Sequence, residues 1–417
     1  MKRLTVALFI AISCVNFSEA GGQKNIQSQL EPEVNVLAVS VSSAEVISEM
    51  EEIIAKSYYR QDVDARAFAE ELFSGGASID DPHSEYLSPI ERGEIENQIR
   101  GVVYGIGVQL DISAVDDKNP AKRFLSVKEV VKNSPAEKAG LQSGDYIVAV
   151  ASDGVKGHSI LLKERDFGEV IWLIRGDRGA PVYLRVLRKE KLLEFVIIRD
   201  EVRQKMVFGR FVKPGIGYIH LTEFGGDDTL NDFSILVSSL QEHGMRALIW
   251  DLRNNPGGYL SYAIIMSKWF QDSKDSGSVV VLKIRGRTFL DFDDKVLNVL
   301  SRFGQGKYRN IPLVVLVNEY SASASELVAV FLKDYCGISL IGKRTHGKGT
   351  VQTIIPLKNG GALKLTVAEY FVGEKEIPVD KIGVGPTIGV ENPKKVRSEK
   401  EDDQLQRAIQ EAEKIAK

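Results

Sequence analysis

Short apolar segments alternate with helical patterns over the second half of this 417-residue chain, and that alternation restricts the fold more than any other feature. The apolar segments lie at 215–221, 247–251 and 311–317, and helical periodicity occupies 229–243, 260–270 and 325–335. Strands that alternate with helices are typical of an α/β core with a mainly parallel sheet. We therefore predict such a core over residues 201–396, with its functional groups in loops that follow strands.

Other regions flank this core, as expected for a chain too long for a single hydrophobic core. Apolar residues at helical spacing predict a helical N-terminal domain over 43–99 and an amphipathic helix within 397–417 that packs on the body. Short strands with one or two helices predict a compact β-rich module over 100–200. The predicted fold class is α/β in a multi-domain α+β arrangement. The N-terminal helices are predicted either to cover another domain or to form a homodimer surface.

The first twenty residues have the features of a secretory signal peptide. A positively charged start and an apolar stretch precede the small-x-small pattern Ser18-Glu19-Ala20. We predict a signal peptide over 1–20, a polar leader over 21–42, and a mature protein that is soluble and either periplasmic or secreted. Cys14 follows a loose match to a lipoprotein cleavage site, so a lipid anchor on Cys14 is the alternative.

Charge and composition exclude several classes of function. The chain has 54 Lys and Arg against 57 Asp and Glu, so it lacks the basic footprint of a nucleic-acid-binding protein. Its histidines are scattered and its two cysteines are far apart, so no spacing predicts a metal site. Gly347-Lys348-Gly349 lacks the glycine-rich lead of a nucleotide-binding loop. We expect no metal and no other cofactor.

The serine-rich run Ser321-Ala-Ser-Ala-Ser-Glu326 lies between the last apolar strand and the helix that follows it. The N-terminus of a helix favours negative charge, including the oxyanion of acyl transfer. A serine hydroxyl at this place is a candidate nucleophile once a base removes its proton. The pattern does not choose between Ser321, Ser323 and Ser325, and helix capping is the structural alternative.

Lys348, between two glycines, is the candidate base. An exposed lysine with a pKa near 10.4 is neutral in only about one molecule in a thousand at neutral pH. Burial lowers the pKa of a lysine, and a pKa of about 8 would leave roughly a fifth of the amines neutral, which is enough for a general base. The backbone N–H groups of Gly257 and Gly258, in a turn that follows a strand, are candidate oxyanion donors.

The module over 100–200 resembles a PDZ domain. Gly105-Ile106-Gly107 looks like the carboxylate-binding loop of that family, and SPAEKAGLQSGDYIVAV resembles its most recognisable segment. In such a loop, backbone N–H groups bind the terminal carboxylate of a peptide that adds to the sheet as a strand. Arg175, in a charged turn, is either a solvated turn residue or a relay between an occupied groove and the active site.

Several segments together resemble the C-terminal processing (tail-specific) peptidases, secreted serine peptidases that combine a PDZ domain with a Ser/Lys dyad. They are LVNEYSASASELVAVFLKD, GKRTHGKGTVQ, DDPHSEYLSP, GIGYIHLTEF, LIWDLRNNPGGYL and LKLTVAEYF. The resemblance extends over about residues 45–415 and implies a helical N-terminal segment, a PDZ-like β-rich module and an α/β peptidase core. It also implies partners that are proteins or peptides bound through free C-termini.

The resemblance assigns roles to individual residues. Ser323 is the implied nucleophile, Lys348 its general base, and Gln352 the residue that positions the lysine. The amide of Ala324 and one amide from Gly257-Gly258 are the implied oxyanion hole. The implied reaction is endoproteolysis near protein C-termini through an acyl-enzyme.

The chain departs from the family pattern at three places, namely His346 before Gly347, Thr387 in IGVGPTI, and Asp80 before Asp81-Pro82-His83-Ser84. A Ser323–His346 dyad is therefore a rival to the lysine mechanism. The segment around Asp81 is expected to be structural. The alternative function is a non-catalytic peptide-binding scaffold on a degenerate peptidase fold.

Overall fold

The computed structural model describes residues 41–75, 81–111, 125–161, 167–271, 282–286, 306–372, 377–393 and 398–416. The predicted signal peptide, almost all of the predicted leader and Cys14 lie outside the described residues. Within the described ranges, no helix combines the length and apolar content needed to cross a bilayer.

The N-terminal region consists of three helices and one short strand. They are α1 (Ser43–Ser57), α2 (Ala65–Phe73), β1 (Glu85–Leu87) and α3 (Pro89–Ile99). Side chains cap each helix, since Ser42 and Ser88 form capping boxes and Asp64 accepts from two backbone N–H groups of α2. The predicted helical region is therefore present, with a strand inserted that its local pattern did not predict.

The following module is an antiparallel sheet with two short helices. Its elements are β2 (Val102–Gly105), β3 (Val108–Asp111), β4 (Leu125–Val130), α4 (Pro135–Ala139), β5 (Tyr146–Ala151), β6 (Ile160–Leu161), α5 (Phe167–Ile174), β7 (Pro181–Arg188), β8 (Lys191–Ile198) and β9 (Asp200–Arg203). The strand order is β3-β4-β5-β7-β8 with β6 paired to β5, while β2 and β9 pair separately with each other. The β2–β9 ladder thus joins the entry and exit of a module with its own hydrophobic core.

The largest region contains the remaining elements. They are β10 (Val207–Lys213), β11 (Ile216–Leu221), α6 (Thr229–Glu242), β12 (Ala247–Asp251), α7 (Leu260–Trp269), β13 (Leu282–Gly286), β14 (Leu313–Val317), α8 (Ala324–Val330), a π-helical turn (Phe331–Tyr335), β15 (Ser339–Gly342), β16 (Thr350–Pro356), β17 (Ala362–Val372), β18 (Ile377–Pro378), β19 (Ile388–Gly389) and α9 (Asp403–Ile415). Its main sheet has the order β10-β11-β12-β14-β15-β19 and is parallel except for the β10–β11 pair. The predicted α/β core with a mainly parallel sheet is confirmed.

Helices cover both faces of this sheet, because alternate residues of its buried strands point to opposite sides. Trp250 and Val315 pack in one cluster with residues of α6, α7 and α8. Ile249 and Val314 face the other way and pack with a set of apolar side chains from α9, which are Leu405, Ala408, Ile409 and Ala412. The C-terminal helix is therefore one layer of the α/β core and packs on the body as predicted.

A second sheet, antiparallel and built around β17, was not predicted. Strands β1, β13, β16 and β18 all pair with β17. Val46 and Met50 of α1 and Leu72 of α2 are buried in one cluster with Leu363 and Leu365 of β17. Helices α1 and α2 thus cover a sheet of the core, which is the first of the two alternatives that the sequence left open.

Candidate active site

Ser323 lies at the junction between the loop after β14 and helix α8. Its backbone has φ +53° and ψ −116°, a conformation that a non-glycine residue adopts only when its surroundings impose it. Such a conformation costs on the order of 1–3 kcal/mol. The backbone of Ser323 is therefore strained, and its side chain lies at the start of a helix. Strained residues of this kind are concentrated at functional positions.

The three candidate serines have different surroundings. The Ser321 hydroxyl donates to the carbonyl of Leu252 at 2.8 Å, and the Ser325 hydroxyl donates to the carbonyl of Asn255 at 3.0 Å. Both side chains are buried, whereas Ser323 is partly exposed and its hydroxyl donates to no described residue. Only Ser323 is therefore available to a substrate.

The 252–258 loop lies directly against this serine. A Cβ atom on Gly257 would be 2.9 Å from Ser323 Cβ and 3.0 Å from the backbone nitrogen of Ala324. The Gly257 N–H is already bonded to Asn255 Oδ1 at 2.9 Å. The N–H groups of Ala324 and Gly258 have no acceptor among the described residues, which leaves them as the pair able to bind an oxyanion.

The position of Gly258 is fixed by a short parallel bridge to Phe224. The Phe224 N–H donates to Gly257 O and the Tyr259 N–H donates to Phe224 O, each at 2.7 Å. A Cβ on Gly258 would overlap the Phe224 backbone, so only glycine fits there.

Lys348 has a half-buried side chain in the loop before β16. Burial lowers the pKa of Lys348, the positive charge of Lys364 lowers it further, and the carboxylates of Glu326 and Asp81 act in the opposite direction. Its ammonium forms no ion pair within 4 Å among the residues that the structure describes. This is the direction of shift that a lysine base requires.

Glu326 joins the serine turn to the lysine loop, and the sequence analysis gave it no role. One carboxylate oxygen accepts from the N–H groups of Ser323 and Lys348 at 2.8 Å each. The other accepts from Thr345 Oγ1 at 2.6 Å and from the Gly347 N–H at 2.7 Å. Burial raises the pKa of Glu326, and these hydrogen bonds oppose that rise. A glutamate three residues after a helix-start serine is the signal that could have identified it.

Tyr370 of β17 makes a second link between the two loops. Its buried hydroxyl lies 2.5 Å from the carbonyl oxygen of Lys348 and 3.2 Å from that of Ser323. Ser323 and Lys348, predicted to act together, therefore share two partners, with Glu326 on their N–H groups and Tyr370 on their carbonyls.

Gln352 and the Asp81–Ser84 segment meet at Thr366 of β17. The Gln352 amide donates to Thr350 Oγ1 at 2.9 Å and to Thr366 Oγ1 at 3.2 Å, and forms no hydrogen bond to Lys348 among the described residues. Asp81 accepts from Thr366 Oγ1 at 3.1 Å and from Ser84 Oγ at 2.5 Å. This segment thus supports the sheet beside Lys348 and also influences the pKa of that lysine.

His346 forms no side-chain hydrogen bond to Ser323 or Lys348 among the described residues. Its side chain is exposed, and its backbone N–H donates to the Ser321 carbonyl at 3.0 Å. Through this main-chain bond, His346 helps to hold the loop that carries Lys348 against the serine-rich loop.

The predicted peptide-binding loop lies at the start of the β-rich module. Ile106 is buried and its carbonyl accepts from the Ala136 N–H at 2.8 Å, while Gly107 has φ +80° beside Ser134. Gly105 ends β2, and β3 after the loop is an edge strand of its sheet. No described strand pairs with the outer edge of β3, so this edge is available for strand addition beside the loop. Arg175 is exposed at the end of α5 and forms no ion pair with a described residue.

Comparison with known proteins gives the family. Residues 215–390 match the model of peptidase family S41, and residues 126–188 match that of the PDZ domain. The chain is 31% identical over 345 residues to the carboxy-terminal processing protease CtpA of Bacillus subtilis, covering 82% of this chain and 68% of that protein. The chain belongs to the carboxy-terminal processing proteases of family S41. This protein is accordingly a serine-type peptidase with a PDZ domain.

Two further matches agree with this membership. A carboxyl-terminal-processing protease of Synechocystis is 32% identical over 324 residues, covering 76% of this chain and 69% of that protein. A solved S41 protease from Bacteroides fragilis has a TM-score of 0.55 at 18% identity, covering 88% of this chain and 98% of the other. The latter similarity concerns the fold of the S41 peptidase.

Proposed function

We propose that this S41 peptidase is an extracytoplasmic endopeptidase that cleaves proteins near their C-termini with Ser323 and Lys348. The observation that carries the proposal is the contrast between the three serines. The hydroxyls of Ser321 and Ser325 hold the 252–258 loop. Of the three serines only Ser323 is available, beside two N–H groups that have no acceptor in the described part of the chain. Location outside the cytoplasm rests on the signal-like residues 1–20.

In the proposed reaction, neutral Lys348 removes the proton from Ser323 as the hydroxyl oxygen attacks the scissile carbonyl. The N–H groups of Ala324 and Gly258 stabilise the resulting oxyanion. Lys348 then gives its proton to the leaving amine, which leaves an acyl-enzyme on Ser323. Water activated by Lys348 hydrolyses that ester and regenerates the serine. The lowered pKa of Lys348 supports this role because it increases the neutral fraction near pH 7.

Gln352 is proposed to position Lys348 when substrate is bound. Its contacts with Thr350 and Thr366 place the amide on the strand that begins just after the lysine. The proposal therefore requires the Gln352 side chain to exchange one of these contacts for the lysine amine.

The PDZ domain is proposed to select substrates by their free C-terminal carboxylate, bound at Gly105-Ile106-Gly107. The open edge of β3 beside that loop supports binding of the tail as an added strand. Arg175, exposed at the end of α5, is the proposed relay between an occupied groove and the active site.

The test is cleavage of an unstructured polypeptide offered with a free and with an amidated C-terminus. We expect Ser323→Ala and Lys348→Ala to lower kcat by at least about a thousandfold. Lys343→Ala is the matched control, because Lys343 lies in the same segment but is exposed and paired with Glu319. The free C-terminus should be cleaved faster than the amidated one.

Two results would contradict the proposal. If Ser323→Ala cleaves as fast as the parent, the Ser/Lys mechanism is wrong. If equal rates are found for free and amidated tails, recognition of the carboxylate is wrong. Absence of cleavage by every variant, with tail peptides still bound, would favour the non-catalytic scaffold.

A further inference from the structure

A buried ionic network joins the loop that carries Gly257 and Gly258 to the C-terminal helix. Arg253, two residues after β12, contacts Asp251 through Nε at 3.0 Å and through Nη2 at 2.7 Å. Its Nη1 contacts Asp402 at 2.8 Å and Gln404 Oε1 at 3.2 Å. Asp402 is the residue that caps α9, so one guanidinium connects the oxyanion loop to the start of that helix.

The partners in this network are desolvated and have further hydrogen bonds. Side-chain exposure is only 12% for Arg253, 3% for Asp251 and 13% for Asp402. The Tyr218 hydroxyl donates to Asp251 Oδ2 at 2.7 Å, and Asn392 Nδ2 and the Leu405 N–H each donate to Asp402 Oδ1 at 3.0 Å. A buried ion pair with this many satisfied groups has a defined geometry, which an exposed pair lacks.

The position of Arg253 passes to Gly257 through Asn254 and Asn255, which both bond to the serine loop, and then through Pro256. Asn254 has φ +61°, and its N–H and side-chain oxygen both bond to the Asn318 side chain at 2.9 Å. The Asn255 carbonyl accepts from the Ala322 N–H at 3.0 Å, and its side chain accepts from the Gly257 N–H. Pro256, the residue between Asn255 and Gly257, has its φ fixed by the proline ring.

We propose that α9 is part of the catalytic apparatus, because Asp402 and Arg253 set the position of the 252–258 loop relative to Ser323. Arg253 and Asp402 are positioning residues that act on the oxyanion hole through the backbone. The inference rests on the proposed function, since it assumes that Gly258 and Ala324 bind an oxyanion formed at Ser323.

Helix α9 also has contacts that attach it to the core without reaching the 252–258 loop. Its apolar side chains already pack on the sheet, and Glu413 forms an ion pair with Lys213 at 2.7 Å. That second pair is 45–47% exposed and leads to β10, which carries none of the active-site residues. It therefore provides a matched control from the same helix.

The experiment compares Arg253→Lys and Asp402→Asn with Glu413→Gln in the full chain. Arg253→Lys keeps the positive charge but loses the planar guanidinium group that bonds to Asp251 and Asp402 together. Asp402→Asn keeps a helix cap but loses the negative charge. The readouts are kcat, KM, affinity for a peptide aldehyde that forms a tetrahedral adduct with Ser323, and binding of an uncleavable tail peptide. Hydrogen exchange of the 252–258 amides is measured in the same samples.

We expect kcat and aldehyde affinity to fall together by about 10- to 100-fold in both network variants, part of the effect of losing an oxyanion donor. KM and tail-peptide binding should stay within about twofold, because the PDZ domain is untouched. Exchange of the 252–258 amides should increase. Glu413→Gln should match the parent in every readout.

The inference is wrong if folded Arg253→Lys and Asp402→Asn retain parental kcat, aldehyde affinity and amide exchange. It is also wrong if their losses match those of Glu413→Gln, since the helix would then act only as packing. Ser323→Ala is included to separate the two proposals, because parental cleavage by that variant would refute the mechanism itself. The amide exchange would then still decide whether the network orders the loop.

Discussion

At the scale of single residues, one carboxylate oxygen of Glu326 holds the peptide N–H groups of both Ser323 and Lys348. These two N–H groups belong to loops that are separate in the sequence, and the strained backbone of Ser323 persists because its own N–H is fixed there. Glu326 therefore fixes the backbones of the two proposed reactive residues relative to each other.

Glu326→Gln tests this directly. The glutamine amide keeps the size of the side chain but replaces one acceptor oxygen with a donor, so N–H groups that faced that oxygen lose their partner. A buried unsatisfied N–H costs about 1–3 kcal/mol. We expect a lower free energy of unfolding by that amount and a kcat at least about tenfold lower.

The control for Glu326→Gln is Glu319→Gln in the loop just before α8, where the carboxylate pairs with Lys343 near solvent. Exposed ion pairs contribute about 0–1 kcal/mol, so this variant should retain activity. Denaturant unfolding and steady-state kinetics measure both effects, and parental kcat in Glu326→Gln would show that the shared carboxylate is not needed.

At the scale of elements, the loops after β12 and β14 are joined to each other by hydrogen bonds. The hydroxyls of Ser321 and Ser325 and the N–H of Ala322 all bond to carbonyls of the 252–255 segment. Those carbonyls lie 69 and 70 residues away in the sequence from the serines that bond to them. No local pattern could therefore choose among the three serines. The family resemblance chose Ser323, and the hydrogen bonds give a physical reason for that choice.

Gly257→Ala should disable this pair of loops. The added methyl would lie 2.9 Å from Ser323 Cβ and 3.0 Å from the Ala324 nitrogen, in the space next to an N–H proposed to bind the oxyanion. We expect kcat to fall by about 10²–10³, the effect of losing one oxyanion donor. Gly244→Ala is the control, since Gly244 also has positive φ but an added Cβ meets nothing within 4 Å. Active-site titration with a serine-reactive probe checks both.

The local sequence pattern predicted individual helices better than it predicted which strands pair with each other. Helices predicted at 229–243 and 260–270 occur as Thr229–Glu242 and Leu260–Trp269, because their periodicity reports the face that packs on the sheet. The antiparallel sheet around β17 was missed, since pairs such as Glu85 with Lys364 join distant segments. Local periodicity carries no information about such a partner.

At the scale of the whole molecule, one of the four hydrophobic clusters of the described residues belongs to the PDZ domain alone, and we infer that this domain and the rest of the chain are two bodies. One cluster fills the PDZ domain, and another joins α1 and α2 to the sheet of β17. The N-terminal helices should therefore unfold with the peptidase core, although the PDZ domain lies between the two in the sequence.

Met50→Ala and Ile147→Ala distinguish these bodies, because both side chains are fully buried, one in each cluster. Either truncation should cost about 2–5 kcal/mol. In calorimetry we expect Met50→Ala to lower the transition that coincides with loss of active-site titre and to leave tail-peptide binding intact. Ile147→Ala should lower the other transition and weaken tail-peptide binding, and it should leave the active-site titre intact. A single transition shifted equally by both would show that the two bodies unfold as one.

The position of α9 also has a consequence for the order in which the protein is made. Residues 403–415 follow every other element of the core, so a ribosome synthesises them after both active-site loops. Until they emerge, the sheet face formed by Ile249, Val314 and Ile341 lacks its cover, and Arg253 lacks Asp402. If α9 positions the 252–258 loop as proposed, we expect the nascent chain to hold Ser323 and Lys348 without a working site until residues 403–415 have emerged.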